Sequence, residues 1–260
     1  MKHNALILTL LFLIVLLAGC GDFPEAVATT APTPETSPST QPSVAETIVV
    51  TEPAHSPLFV EGLAVEDVIR YFNEVCLDAE IINSGNASLL QKWISPIYYR
   101  LNGDPTEADI RVMTDFAAWL NTVEGFPGMV EAQAPDEANL QIHFCTQEDM
   151  LALMGQDFTD MDGAVTFWYL DNAIYDAIIC CRTDLDQQLR NSAILEEIYN
   201  GLGPIQDTDL RPDSIIYSEY AEPQELTEID ALILKLLYHP QLLCGMNGEE
   251  CEAVIRQLYW

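Results

Sequence analysis

From residue 58 onward the apolar positions change period repeatedly, from 3.6 to 2 and back, and each change marks a predicted element. Val65, Val68, Ile69, Phe72, Val75, Cys76 and Ala79 fall on one helical face. A strand follows over 93–101, where Pro96, lacking an amide to donate, suits an edge or a bulge. Asp104-Pro105-Thr106-Glu107 then offers an N-cap, a proline at the first helical position and an acid at the third. The stripe Ile110, Met113, Phe116, Ala117 and Leu120 continues that helix. Strands are expected over 128–132 and 139–145, the second with Leu140, Ile142 and Phe144 alternating, and a short helix over 147–154. Residues 163–170 and 173–181 read as paired strands around the turn Asp171-Asn172.

The remainder is mostly helical. One helix is predicted over 185–202, capped by Asp184 with Gln187 three positions on, and stopped by Gly203 and Pro204. Thr227 caps the next, whose stripe is Ile229, Leu232, Ile233, Leu236 and Leu237, with Pro240 beyond its end. A last helix covers 249–258. The fold class that results is α+β: an N-terminal mixed sheet packed on helices, the 185–202 helix below it, and a mostly helical C-terminal part.

The chain ahead of this has a different character. Lys2 precedes an apolar run over 5–16 and then Leu17-Ala18-Gly19-Cys20. The run is too short for an ordinary membrane span, and Ala18 and Gly19 are small enough for a peptidase pocket. The segment resembles a bacterial lipoprotein signal, 1–19, with Cys20 as the lipidated residue. Residues 20–57 are rich in Pro, Thr and Ser and read as a disordered tether, leaving 58–260 as the folded domain. This predicts a chain attached to the cell membrane through the lipid on Cys20, with its domain on the extracytoplasmic face.

Charge narrows the partners. Against 41 acids stand 10 Lys and Arg, a formal net charge of −31, which repels phosphate backbones and argues against nucleic acid. Six cysteines remain beside Cys20: Cys76, Cys145, Cys180, Cys181, Cys244 and Cys251. An oxidising compartment favours disulfides, with Cys244 and Cys251 the preferred pair around Gly245 and Gly248. Cys180 and Cys181, adjacent on a strand, should face opposite ways.

Candidate chemistry gathers at the exit of the 185–202 helix. A zinc protease of the Met-turn type would read H-E-x-x-H-x-x-G-x-x-H there. Two histidines share a helix face, the glutamate is general base, and the glycine lets the chain turn so that a third histidine reaches the metal. On that frame Glu196, Asn200 and Gln206 take the three ligand positions, Glu197 keeps the catalytic acid position and Gly203 keeps the turn. Ser214-Ile215-Ile216-Tyr217 resembles the Ser-Ile-Met segment under the metal of such enzymes, with Ile216 in place of methionine.

Together with Tyr71-Phe72-Asn73-Glu74-Val75, Lys92-Trp93-Ile94-Ser95-Pro96-Ile97 and Leu236-Leu237-Tyr238-His239-Pro240 to Gly245-Met246, these segments resemble the bacterial domain of unknown function 2927, over about residues 65–248. The resemblance implies a zincin-like fold of degenerate metallopeptidase type. Members often carry glutamine where this chain has Asn200, which restores no ligand.

Zinc is not expected. His3 belongs to the signal and His55 to the tether; His143 faces away from Ile142 and Phe144 on its strand, and His239 sits at a helix end, so three imidazoles cannot be assembled. Amide oxygens suit harder ions, which leaves calcium or magnesium on Glu196, Glu197 and Asp207 or Asp209 as the alternative to no cofactor. Asp160-Met161-Asp162-Gly163 reads as a turn. Phe167-Trp168-Tyr169 reads as sheet and core, with an exposed peptide-binding edge as the alternative. Three functions follow. The first is a non-catalytic surface protein whose cleft, flanked by the 163–170 strand, binds a peptide or an envelope protein. The second is a peptidase-like hydrolase using Glu197 with non-histidine ligands, and the third a structural surface domain.

Overall fold

The computed structural model describes residues 56–77, 89–218 and 223–260. The expected signal, Cys20, the tether up to residue 55 and Ala79 lie outside the described residues. The Ser56 amide donates to the Trp260 carbonyl at 2.7 Å. Among the described residues the elements are α1 (Val65–Leu77), β1 (Lys92–Trp93), β2 (Ile97–Gly103), α2 (Glu107–Leu120), β3 (Met129–Glu131), β4 (Leu140–Cys145), α3 (Gln147–Met154), β5 (Gly163–Leu170), β6 (Ala173–Arg182), α4 (Gln187–Gly201), α5 (Glu228–Leu237) and α6 (Gly248–Leu258). The sheet runs β1-β6-β4-β2-β3, with β5 paired to β6 off that path. Every pairing is parallel except β5 with β6. The architecture is thus α+β with a mostly parallel sheet.

Three expectations need correction. The strand expected over 93–101 is two strands parted at Pro96: β1 pairs with β6, whereas β2 pairs with β3 and β4. Helix α2 is capped by Thr106, not Asp104. The Thr106 hydroxyl accepts from the Asp109 amide, and the Asp109 carboxylate accepts from the Thr106 amide in a reciprocal box. Helix α4 is capped by Asp186, whose carboxylate accepts from the amides of Gln188 and Leu189; Asp184 instead pairs with Arg182 at 2.8 Å. The hairpin turn stands as expected, Asp171 and Asn172 both taking positive φ.

Strand alternation sorts the sheet's two faces. Leu140, Ile142 and Phe144 of β4 join Ala177, Ile179 and Cys181 of β6 in the main core with residues of α1, α4 and α5. Cys180 turns the other way, into a smaller cluster with Met150 of α3 and Ala164.

Two buried acids tie the helices together. Asp109 meets Arg190 of α4 at 3.2 Å and accepts from Gln187 at 2.6 Å, joining α2 to α4. Asp230, in the first turn of α5, is wholly buried. Its carboxylate accepts from the Ser214 hydroxyl at 2.7 Å, the Ile215 amide at 3.1 Å, and the amide and hydroxyl of Thr227 at 3.2 and 2.7 Å. Tyr71 of α1 donates to Ser214 at 2.8 Å, and Tyr199 of α4 donates to the Asp230 carbonyl at 3.3 Å. Asp230→Ala leaves the donors of Ser214, Ile215 and Thr227 unanswered and breaks the capping box of α5. It is expected to cost about 3–5 kcal/mol in a denaturant titration, against about 1 kcal/mol for Glu250→Ala at the exposed cap of α6.

Candidate functional site

Helix α4 runs against β5 and β6, with Gly201 abutting Val165 and Ile179. The carbonyls at its C-terminal end have no partner within the helix and are answered by buried side chains. Trp93 Nε1 donates to Gly201 O at 2.9 Å and the Tyr238 hydroxyl to Leu202 O at 2.8 Å. The buried Lys92 ammonium beside them donates to Leu237 O and Leu242 O and lies 5.7 Å from the centroid of the Tyr238 ring. Its desolvation pulls the Lys92 pKa down. Gly203 then takes φ +132°, and a Cβ there would fall 2.6 Å from the Gln91 carbonyl oxygen. A residue with a side chain would therefore be both strained and in collision at this turn. Beyond it, Ile205 N donates to Val75 O and Thr208 N to Ile216 O. The exit loop is thereby laced to α1 and to the Ser214–Tyr217 segment, in which Ile216 is fully buried.

The frame positions divide by environment. Glu197 points at β5 and is 7 % exposed. Its Cγ and Oε1 lie so close to Gly163 that a Cβ on that residue would sit 2.6 and 2.8 Å from them. No hydrogen-bond donor reaches its carboxyl among the described residues. Burial first, then the charges of Glu196 and Asp207, push the Glu197 pKa well above the carboxylate range. Glu196 is half-buried; desolvation, then Asp207 and Asp162, push its pKa up to about 8. One turn further, Asn200 Oδ1 is buried with no donor. The chain thus brings Glu196, Glu197, Asp207 and Asp162 into mutual electrostatic reach. The alternate acid Asp209 is not among the groups that shift either glutamate. Asp162 and Gly163, read from the sequence as a turn, were missed as parts of this site. Their signal was an acid and a glycine placed immediately before the edge strand.

At the three ligand positions stand one carboxylate and two amides, a donor set that does not fit zinc. Among the described residues no group of three or more His, Cys, Asp or Glu is placed to hold a metal ion. His143 faces away from the main core with its pKa lowered by burial, and His239 Nδ1 accepts from the Gln241 amide. The six described cysteines are free thiols. The expected Cys244–Cys251 bond is not formed: the Cys244 thiol donates to Lys92 O at 3.7 Å, while Cys251 lies fully buried near Cys76. A groove of about 480 Å³ lies elsewhere, between α2, α4 and the segment before α5, with Phe116, Trp119, Leu195 and Leu226 in its wall. Helix α4 gives it Asn191 and Leu195, not the frame residues. No helix among the described residues is long and apolar enough to cross a membrane.

Fold and site together define an α+β protein with a mostly parallel sheet and a carboxyl-rich helix under its antiparallel strand. The chain belongs to the family described as protein of unknown function (DUF2927), whose model matches residues 65–257. Comparison with curated proteins and with solved structures returned no match.

The buried carboxyls set a pH dependence. A carboxyl that holds its proton to about pH 8 when folded, but ionises near 4.5 when unfolded, contributes stability in full below 4.5 and loses it as pH rises toward 8. Thermal unfolding is therefore expected to fall between about pH 5 and pH 8. Glu196→Gln should flatten that slope and stabilise the chain at pH 8 by about 2 kcal/mol, several degrees in Tm.

Proposed function

We propose that this chain is an extracytoplasmic, lipid-anchored protein whose zincin-like domain is non-catalytic and binds an extended peptide, or an extended segment of an envelope protein, along the outer edge of β5. One observation carries the reading. Strand β5 is paired on one side only among the described residues and exposes Trp168, Tyr169 and Leu170 at 42, 53 and 69 %. An open row of backbone donors and acceptors with apolar side chains is the chemistry of strand addition, in which the backbone supplies affinity and the side chains selectivity. The zincin-like part draws support from the antiparallel strand lying over the helix that carries Glu196 and Glu197. The Gly203 turn, which returns Asp207 to those two residues, supports it further. Against hydrolysis stands the burial of Glu197, which disfavours its ionised form and its contact with water, whereas a general base must be ionised and reach water.

A displayed library of random twelve-residue peptides, screened on the purified chain, should yield binders that slow amide exchange across residues 163–170. Tyr169→Asp should weaken them about tenfold. Binders that protect only other segments would sink the β5 reading. Cys20→Ser should abolish incorporation of labelled fatty acid and move the chain from the membrane fraction to the soluble one; unchanged membrane recovery would overturn the lipid anchor.

A further inference from the structure

The two ends of β5 differ in chemistry. At the Gly163 end stand Asp160, Asp162, Asp184, Glu196, Glu197 and Asp207, with Arg182 as the basic residue among them. Arg182 is already engaged, by Asp184 at 2.8 Å and Asp162 at 3.7 Å. No lysine, arginine or histidine figures among the charges acting on Glu196 or Glu197. Asn200 Oδ1 is buried there without a donor, and Glu197, 7 % exposed, is crowded by the charges of Glu196 and Asp207. The amide oxygen calls for a donor, and the crowded carboxyls for a positive charge that draws them back toward the ionised form; a bound ammonium or guanidinium supplies both.

The far end is apolar. On the α4 side of β5, the Phe167 and Tyr169 rings lie tilted with centroids 6.5 Å apart. Phe167 packs against the core and Tyr169 stands exposed. The register shift at Trp168/Tyr169 skips Tyr175 of β6, so β5 itself keeps its alternation. Gly163 and Tyr169 therefore share a face, six residues apart, about 20 Å along a strand.

We infer that the segment seated on β5 carries a lysine or arginine at the Gly163 end and an aromatic or aliphatic side chain six residues away at the Tyr169 end. This rests on the strand-addition reading of β5 and names the chemistry that site selects. A strand laid beside β5 repeats its rise per residue, so a spacing of six presents both side chains to the same face. The cation meets the crowded carboxyl of Glu196, and the apolar residue covers Tyr169.

The test uses fluorescein-labelled peptides of lysine, five alternating threonines and serines, and phenylalanine, made in both chain orders and titrated by anisotropy into the full chain. Three comparison peptides replace lysine by glutamate, shorten the spacer to four residues, or omit phenylalanine. In one chain order the lysine peptide should bind about tenfold tighter than the glutamate and four-residue-spacer peptides, and should weaken as salt rises. Glu196→Gln with Asp207→Asn should erase the preference for lysine, weakening the lysine peptide and easing the repulsion of the glutamate one. Tyr169→Ser should weaken lysine and glutamate peptides alike. Equal binding of lysine and glutamate peptides, with 163–170 still protected from exchange, overturns the cationic inference and leaves strand addition intact. Binding without protection of 163–170, or none by any peptide, overturns strand addition itself. Preference for lysine independent of spacer length overturns the six-residue rule.

Discussion

The carboxylate of Asp230 is the constraint on which the rest of the structure depends. It is a carboxylate removed from water, held by four donors from two segments that converge on its two oxygens at the positive end of α5. Those donors belong to the Ser214–Ile215 segment and to Thr227, so neither can shift without uncovering a buried charge. Through Ser214 the same carboxylate holds Tyr71 of α1, and through its backbone carbonyl Tyr199 of α4. Four parts of the chain are indexed to one side chain. With Trp93 and Tyr238 fastening the last carbonyls of α4, that helix is held along its length, and the positions of Glu196 and Glu197 follow.

The two kinds of buried acid in this fold behave oppositely. Asp230 and Asp109 are supplied with hydrogen-bond donors. Glu196 and Glu197 are supplied with more acids, and burial with that crowding pushes both toward the protonated form. Stability alone favours an amide or an apolar side chain at either glutamate. Even so, the surroundings make room for Glu197: Gly163 is the residue that lets its side chain lie flat against β5, since any Cβ would strike it. Local cost retained beside an open strand edge is the pattern of a site shaped by binding rather than by folding.

Much of this was legible in the sequence, and the failures share a cause. Helices α3, α5 and α6 and the β5–β6 hairpin follow from period and turn chemistry because each signal there is local and unopposed. The caps of α2 and α4 misled because acids and hydroxyls crowd both starts. Asp104, Thr106, Asp184 and Asp186 are equivalent to a pattern, and only the donors within reach separate them. The Pro96 break was visible, but the different partners of β1 and β2 are tertiary. At the site, the spacing from Glu196 to Gln206 was readable because it is helical and local. Asp162 and Gly163 are more than thirty residues away in sequence and meet α4 only when the hairpin folds over it. The burial of Glu197, and the upward push it gives the carboxyl's pKa, is likewise a property of neighbours, invisible to spacing.

An open apolar edge is a hazard to any chain that displays one, and β5, reading Gly-Ala-Val-Thr-Phe-Trp-Tyr-Leu, holds none of the lysines, prolines or charges that usually blunt such a strand. Its protection lies just outside it. Asp160 and Asp162 precede the strand and Asp171 follows it. Two copies meeting edge to edge in antiparallel register would set the Asp162 end of one against the Asp171 end of the other; in parallel register, acid meets its own equivalent. Either arrangement opposes like charges in a chain already carrying a net charge of −31, which discourages self-pairing without closing the edge. A strand bearing positive charge meets no such penalty. On the proposed reading, the acids that keep β5 from pairing with itself thereby also favour a cationic segment over an acidic one.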